Sequence, residues 1–360
     1  MKPTTKISAF QFYFMLFLSR VIISITINSQ TLGEKNFLDN IFSSLLLFVG
    51  LFIFVLPLFS LNKRYPDLSL PAIAEERMGG FGFGVSAVYG VYFFIMNTFS
   101  LSMFLALLLN TLDPVASKWS IAIILTGIAL YGAVKGIETI SRASICIFVL
   151  FILGMGAIFI ALAPNVTLRY MEPLFYDGFD DVLRGFFVFT ARCTSLAEFA
   201  VLMPFVQGRK RLGFAVCSGG VTAFLSILLF FIVSCLGEYA YLQIFPAYTL
   251  AVMSEIAGIQ RLDALFIGLC MMTLVIRIAC GLFAVSECIS RIVKPRVRTA
   301  VLSALSAVSV LFALWVTEDA RRAGMLFKTE YLLPLTVLTG AVLPAAVWAV
   351  DHFKKERKPR

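Results

Sequence analysis

One apolar stretch with charged residues at its centre places the strongest constraint on this chain. Residues 181–206, DVLRGFFVFTARCTSLAEFAVLMPFV, are long and apolar enough to cross a bilayer as a helix, yet Arg192 and Glu198 lie near the middle. An arginine at a membrane-helix centre costs roughly 2.5–3.5 kcal/mol on an insertion scale, so such residues usually face a bundle interior or a water-filled cavity. We therefore interpret this stretch as a membrane helix that carries functional residues.

Within this stretch the two charged residues are not expected to pair along one helix face. They are six residues apart, and at 100° per residue their side chains point about 120° apart. Glu198 instead shares a face with Thr194 and Ser195, and small hydroxylated residues there tolerate a local break in the helix. The alternative is that Arg192 and Glu198 are each tied structurally to a neighbouring helix.

Composition assigns the whole chain to the polytopic membrane proteins. Of 360 residues 60% are hydrophobic and 14% are charged, whereas soluble domains are about 45–50% apolar. The net charge of +9 comes from Lys and Arg in short loops, which favours an orienting role in the bilayer and argues against nucleic acid binding. The seven cysteines form no C-x-x-C, and His352 is the only histidine. We expect buried thiols, no metal or other cofactor, and no enzymatic activity.

Ten segments have about the length that a hydrocarbon core requires. The prediction is an all-α protein with transmembrane helices at 8–28, 38–61, 84–109, 119–134, 143–163, 182–206, 213–236, 263–290, 298–317 and 330–351. We expect a single transmembrane domain made of two repeats, 8–163 and 182–351, followed by a basic cytoplasmic tail at 352–360.

Loop charges give an orientation for these segments. Nineteen Lys and Arg residues lie on the side that holds both ends of the chain, and seven lie on the opposite side: Lys35, Lys118, Arg169, Arg261, Arg321, Arg322 and Lys328. Positive residues accumulate in cytoplasmic loops. Both termini are therefore predicted to be cytoplasmic.

Four ionisable residues are predicted at membrane depth, and three of them are cationic. Arg20, Arg192 and Arg277 face only one acid, Glu198, so the interior favours a small anion or a carboxylate-bearing ligand. The alternative is that the arginines extend to an interface or bond to backbone carbonyls. The candidate ligand-binding residues are these four with nearby hydroxyl residues: Arg20, Ser24, Thr26, Arg192, Thr194, Ser195, Glu198 and Arg277.

Helix breakers favour a transporter-like arrangement. Pro57, Pro204, Pro334 and Pro344 lie inside or near the ends of segments, and membrane helices tolerate breaks where the backbone lines a cavity. Ten helices divide as five plus five, which predicts an inverted-repeat (LeuT-like) fold. The apolar loop at 237–261 predicts a helix that starts near Pro246 and either covers the cavity or packs on its rim.

A series of short motifs resembles a known family. They are KISAFQ (6–11), KRYPDLSLP (63–71), KGIETISRAS (135–144), EFAVLMP (198–204), GEYAYLQIFPAYTL (237–250) and QRLDALF (260–266). Together they are similar to the B subunit of bacterial spore germinant receptors, in the spore permease family of the amino acid, polyamine and organocation superfamily. One departure concerns RVIISITIN (20–28), which lacks the glycines with which the superfamily breaks its first helix.

The resemblance implies a ten-helix inverted-repeat fold in the spore inner membrane, with both termini facing the spore core. It also implies A and C partner subunits and a cavity for a small nutrient, commonly an amino acid. Two functions share this cavity: a receptor subunit that signals to its partners, and a permease that transports the nutrient by alternating access. We expect the receptor.

Overall fold

Long apolar helices make up nearly all of the structure. The computed structural model describes residues 6–26, 38–111, 117–170, 178–255, 262–290 and 293–356. Within these ranges nine segments are long and apolar enough to cross a membrane, and one further apolar helix has 17 residues. The predicted all-α multi-pass architecture is confirmed, and the described ranges contain the ten predicted segments except for residues 27–28 at the end of the first.

The helices follow one another with few other elements. Their bounds are α1 Ala9–Ile25, α2 Asp39–Arg64, α3 Leu70–Met78, α4 Gly80–Thr111, α5 Lys118–Lys135, α6 Ile137–Leu162, α7 Asp180–Ala191, α8 Ser195–Leu202, α9 Lys210–Leu236, α10 Tyr239–Leu242, α11 Pro246–Met253, α12 Leu262–Ile289, α13 Pro295–Thr317, α14 Ala320–Leu326, α15 Thr329–Val337 and α16 Leu343–Glu356. Short 3₁₀ turns occupy Ala163–Asn165, Leu168–Tyr170 and Met203–Phe205, and a π-helical turn, Leu338–Val342, joins α15 to α16.

A two-stranded parallel pairing links the start of α1 to the end of the sixth segment. Strand β1 (Ile7–Ser8) pairs with β2 (Val206–Gln207). Ser8 also begins α1 with a capping box: its hydroxyl accepts from the Gln11 backbone N–H at 3.3 Å, and the Gln11 side chain accepts from the Ser8 N–H at 3.1 Å. The start of α1 is therefore fixed both locally and against β2.

The fifth segment begins earlier than the sequence predicted. Helix α6 starts at Ile137, directly after Gly136, whose φ of 103° lets the chain reverse out of α5. The prediction placed this start at residue 143, with Lys135 and Arg142 in a charged loop. In the structure Glu138 and Arg142 form an ion pair of 2.6 Å across one turn of the exposed helix start.

Two predicted segments are interrupted. The sixth was predicted as one helix over 182–206, but it consists of α7 and α8 with a non-helical turn at 192–194. The tenth, predicted as 330–351, contains the π-helical turn between Pro334 and Pro344. Proline and π turns both leave carbonyls of the regular helix without their usual partners.

Burial separates inner segments from outer ones. We compared the most apolar stretch of 18 residues in each segment. In that stretch 89% of the residues are buried for α7 and α8 taken together, 72% for α4 and for α12, and 28% for α5. The sixth, third and eighth segments thus form the centre of the bundle, and α5 presents most of its surface outward. The apolar outer surfaces match the expected bilayer environment.

The loop after α9 contains two short helices. Helix α11 begins at Pro246, as predicted, and packs against α9 and α12. Residues 256–261 of the predicted loop lie outside the described ranges. A covering role for this loop stays a prediction, as do the repeat bounds at 8–163 and 182–351.

The end of the tenth segment is fixed by a buried carboxylate. Asp351 of α16 is 2% exposed and accepts from Arg64 Nη1 at 2.6 Å, from the Tyr65 hydroxyl at 2.8 Å and from Arg77 Nε at 3.0 Å. These contacts join α16 to the end of α2 and to α3. The predicted tail at 352–360 begins as a continuation of α16, and residues 357–360 lie outside the described ranges.

Replacing Asp351 with Asn is expected to lower the unfolding free energy by about 1–3 kcal/mol, because charge-assisted hydrogen bonds contribute about that much. Chemical unfolding of the purified protein in detergent would measure it. The matched control is Glu318→Gln, since Glu318 is 50% exposed and lies 3.5 Å from Lys118. An exposed ion pair of this kind is expected to add little to the unfolding free energy. Equal effects of the two substitutions would contradict a stabilising role for Asp351.

Candidate functional site

The turn between α7 and α8, here called the break, comprises residues 192–194 and is buried. It forms without glycine or proline: Arg192 has φ −99° and ψ 3°, and Thr194 has φ −85° and ψ −9°. Both half-helices end inside the bundle, where unsatisfied backbone groups are costly. The Thr336 hydroxyl of α15 donates to the Ala191 carbonyl at 2.8 Å and so satisfies one of them.

Arg192 satisfies a second carbonyl of the same half-helix. Its Nη1 donates to the Val188 carbonyl at 3.2 Å, and its guanidinium lies 5.7 Å from the centre of the Phe99 ring. A cation at a helix C-terminus interacts favourably with the helix dipole. Arg192 and Glu198 form no ion pair, in agreement with the angle expected between them.

Glu198 lies in the first turn of α8, and one of its two carboxylate oxygens is bonded to three polar partners. Its Oε1 accepts from Ser19 of α1 at 2.7 Å, from Thr194 at 3.1 Å and from Nη1 of Arg277. The carboxylate is also near the positive end of the α8 dipole. Its other oxygen, Oε2, is buried and has no hydrogen-bond partner among the described residues.

Arg277 of α12 is the counter-ion of Glu198, and both side chains are essentially inaccessible, at 0% and 1% exposure. Nη1 of Arg277 also donates to Ser19 at 3.2 Å, and Nε reaches Ser100 of α4 at 3.4 Å. Nη2 is buried and has no partner in the part of the chain that the structure describes. The pair thus connects the first, third, sixth and eighth segments.

Arg20 approaches the break from α1. Its Nη1 donates to the Cys193 sulfur, and the arginine is only partly buried. Arg20 therefore contacts the backbone turn but forms no ion pair with a described carboxylate. Cys193 is a free, buried thiol, as expected.

Three predicted hydroxyl residues are not joined to the Glu198 and Arg277 pair. Thr26 caps the end of α1 and donates to the Ile22 carbonyl at 2.9 Å. Ser24 and Ser195 are buried at 9% and 7% exposure, and their hydroxyls make no hydrogen bond to any described residue. Helix α1 is unbroken to Ile25, in keeping with its lack of glycine.

Several site residues were missed by sequence reasoning. Ser19 and Ser100 bind the pair directly, and two further buried groups on α4, the Tyr92 hydroxyl and Oδ1 of Asn97, have no hydrogen-bond partner among described residues. Asn97 lies next to the site because its Nδ2 donates to the carbonyl of Ile278, the residue after Arg277, at 3.5 Å. The sequence signal that could have identified Asn97 is a polar amide in the middle of an apolar segment.

A small apolar cavity borders the break. Its volume is about 20 Å³, close to the space needed by one water molecule. Its walls come from α2, the two sides of the break, and the tenth segment: Leu47, Leu51, Phe54, Thr190, Cys193, Leu196, Thr336, Val337, Gly340 and Ala341. An amino acid does not fit here unless α2 and α15 separate.

The sequence of this chain matches a protein-family model over most of its length. The family model described as spore germination protein, the spore permeases, matches residues 6–321. The chain belongs to the spore permease family. Its resemblance to that family at the level of short motifs is thereby confirmed.

Two known proteins are similar to this spore permease, one in sequence and one in fold. Spore germination protein YndE of Bacillus subtilis (strain 168) is 21% identical over 328 residues, which cover 88% of this chain and 89% of YndE. A substrate-bound, outward-open structure of a Na⁺-coupled sialic acid symporter superposes with a TM-score of 0.63 at 14% identity, covering 94% of this chain and 80% of the symporter. The spore permease thus has the LeuT-like fold that was predicted, and its family and fold are those of membrane transporters or receptors.

Glu198→Gln tests the ion pair. The substitution leaves the Arg277 guanidinium buried without a counter-charge, so the unfolding free energy is expected to fall by about 3–5 kcal/mol. The measurements are chemical unfolding in detergent and abundance of the variant in the membrane.

Glu138→Gln is the matched control, because Glu138 also pairs with an arginine but is 47% exposed. Arg277→Lys provides a second comparison: the charge remains, but one ammonium group cannot hold Glu198, Ser19 and Ser100 together in the geometry of the guanidinium. If Glu198→Gln is as stable as Glu138→Gln, the buried pair does not stabilise the bundle.

Proposed function

We propose that this spore permease is the membrane subunit of a nutrient germinant receptor. It binds a small nutrient, an amino acid, at the break and triggers germination together with A and C partner subunits. Its location is the spore inner membrane. Family membership and the similarity to a spore germination protein support this proposal.

One observation carries the binding site: hydrogen-bonding atoms without partners converge around the break. Oε2 of Glu198 accepts hydrogen bonds, and Nη2 of Arg277 donates them; neither has a partner in the described structure. Buried polar atoms are normally paired, and unpaired ones cost about 1–3 kcal/mol each. An acceptor and a donor side by side suit a ligand that carries both an ammonium group and hydrogen-bond acceptors.

The break also supplies a means of response. The two half-helices meet at a turn of three residues, so a ligand there can change their relative orientation without disrupting a continuous helix. Helix α15 is bonded to the break through Thr336, and the tenth segment continues to the Asp351 contacts at its far end. Ligand binding and the arrangement of the tenth segment are thereby coupled in our proposal.

A functional amino-acid permease is the second candidate. The observation that favours it is the fold, which is shared with a Na⁺-coupled symporter. Both functions use the same residues, and they differ in whether the bound state opens to the other side of the membrane.

A transport assay with the purified protein distinguishes the two functions. We expect proteoliposomes that contain only this protein to bind labelled amino acids but not to concentrate them, and spores that lack the gene to lose a nutrient response. Concentrative uptake would establish the permease instead. Empty liposomes and liposomes with the Glu198→Gln variant serve as controls.

The orientation in the membrane is a further expectation of the proposal. In a variant without its seven native cysteines, a single cysteine at residue 355 should react with an impermeant thiol reagent only after the membrane is opened, because positive residues favour the cytoplasmic side. A cysteine at residue 321, on the opposite side, is the control. If residue 355 reacts from the outer face, the predicted cytoplasmic location of the C-terminus is wrong.

A further inference from the structure

The charges at the break do not balance among the described residues. Arg20, Arg192 and Arg277 all lie in membrane-spanning segments near the break, and Glu198 neutralises Arg277. Arg20 contacts a thiol, and Arg192 contacts a carbonyl and an aromatic ring. Neither of these two arginines has an ion-pair partner in the described structure, so two positive charges remain.

The two uncompensated arginines approach the same turn from different segments. Arg20 reaches Cys193 from α1, and Arg192 is the residue immediately before Cys193. Arg192 also packs on Phe99, which precedes Ser100, the contact of Arg277. Arg20 and Arg192 thus both contact or belong to the break, and Arg192 and Arg277 contact neighbouring residues of α4.

The helix dipoles at the break do not neutralise these charges. The C-terminus of α7 carries roughly half a negative charge, and the N-terminus of α8 carries roughly half a positive charge. The α7 end favours Arg192, but with less than one full counter-charge, and the adjacent positive end of α8 offsets part of that effect. A guanidinium that is 93% buried, as Arg192 is with 7% exposure, is costly without a counter-charge.

We propose that the break binds a small anionic group, a carboxylate or a halide, on Arg192 and Arg20, so that the bound species carry a net negative charge. This inference rests on the proposed function and specifies the ligand that the site accepts. A guanidinium holds a carboxylate through two parallel N–H groups, and it holds a halide through one or two.

The position of Glu198 determines what kind of nutrient satisfies the site. Its free oxygen repels a carboxylate and attracts an ammonium group, so the anionic group lies toward Arg192 and the ammonium group toward Glu198. A neutral zwitterion brings no net charge and leaves the two arginines uncompensated. The site therefore accepts an amino acid with a second carboxylate, or a neutral amino acid accompanied by a halide.

Binding assays with defined anions test this inference. The full-length protein is placed in nanodiscs made of neutral lipid, with the bulky sulfonate HEPES as the only buffer anion, and binding of labelled glutamate, aspartate, glutamine, asparagine, alanine and leucine is measured. We expect glutamate or aspartate to bind at least tenfold more tightly than its amide. If the anionic group is instead a halide, neutral amino acids should bind at least tenfold more tightly once chloride is added. The two results therefore distinguish the carboxylate from the halide.

Variants assign the effect to the two arginines. Arg192→Gln and Arg20→Gln should each reduce the preference for the acid, or the gain from chloride, at least tenfold. Arg142→Gln is the control, because Arg142 is 72% exposed at the start of α6. If the Gln variants do not fold, Arg192→Lys and Arg20→Lys keep the charge but lose the paired N–H groups of the guanidinium, so the preference for the acid or the gain from chloride should fall while Arg142→Lys leaves it unchanged. An unchanged anion dependence in both Lys variants would overturn the inference.

Two further results would overturn the inference while leaving the proposed function intact. One is a neutral amino acid that binds the wild-type protein in HEPES with no gain from chloride. The other is an anion dependence that is unchanged in folded Arg192→Gln and Arg20→Gln. If none of the amino acids binds the wild-type protein in either buffer, the proposed nutrient site and the anion site both fail.

Discussion

The buried pair of Glu198 and Arg277 is the contact on which the centre of the bundle depends. It joins α8 to α12 directly, and through Ser19 and Ser100 it includes α1 and α4. Removing one partner leaves a charge in the apolar interior, whereas replacing both with apolar residues of similar volume need not destabilise a protein. The pair therefore makes the relative positions of four segments interdependent, and no segment can shift far without separating charges.

The break places Glu198 where its carboxylate can pair with Arg277. A continuous helix would place residues 192 and 198 on faces about 120° apart with no free backbone groups between them. In the structure the chain leaves α7 at Ala191 and re-enters α8 at Ser195, so Glu198 lies in a first turn beside Ser19 of α1. Arg192 and Thr336 satisfy carbonyls that the break exposes. Arg192, one of the three residues of the break, and Thr336 of α15 thus both stabilise the interruption.

The sequence predicted the apolar segments and the fold, because apolar length is a local signal. It did not predict the partner of Glu198, since Arg277 is 79 residues away and any of three arginines satisfied the charge argument. The sequence predicted only that a break would be tolerated at this point. Thr194 and Ser195 are compatible with either a helix or a turn, and no glycine marks the position. The early start of α6 was missed because the exposed pair of Glu138 and Arg142 looks like a loop in hydropathy alone.

The tenth segment relates the break to the end of the bundle that holds β1. Its first half bonds to α7 through Thr336, its π-helical turn places Gly340 against Leu196 of α8, and its second half carries Asp351. A Cβ at position 340 would lie 3.2 Å from a side-chain carbon of Leu196, so little space separates the turn from the break. For a permease, the contacts of Asp351 with α2 and α3 must break and re-form in every cycle if the tenth segment opens that end. In the proposed receptor role these contacts can stay formed while the forces on them change.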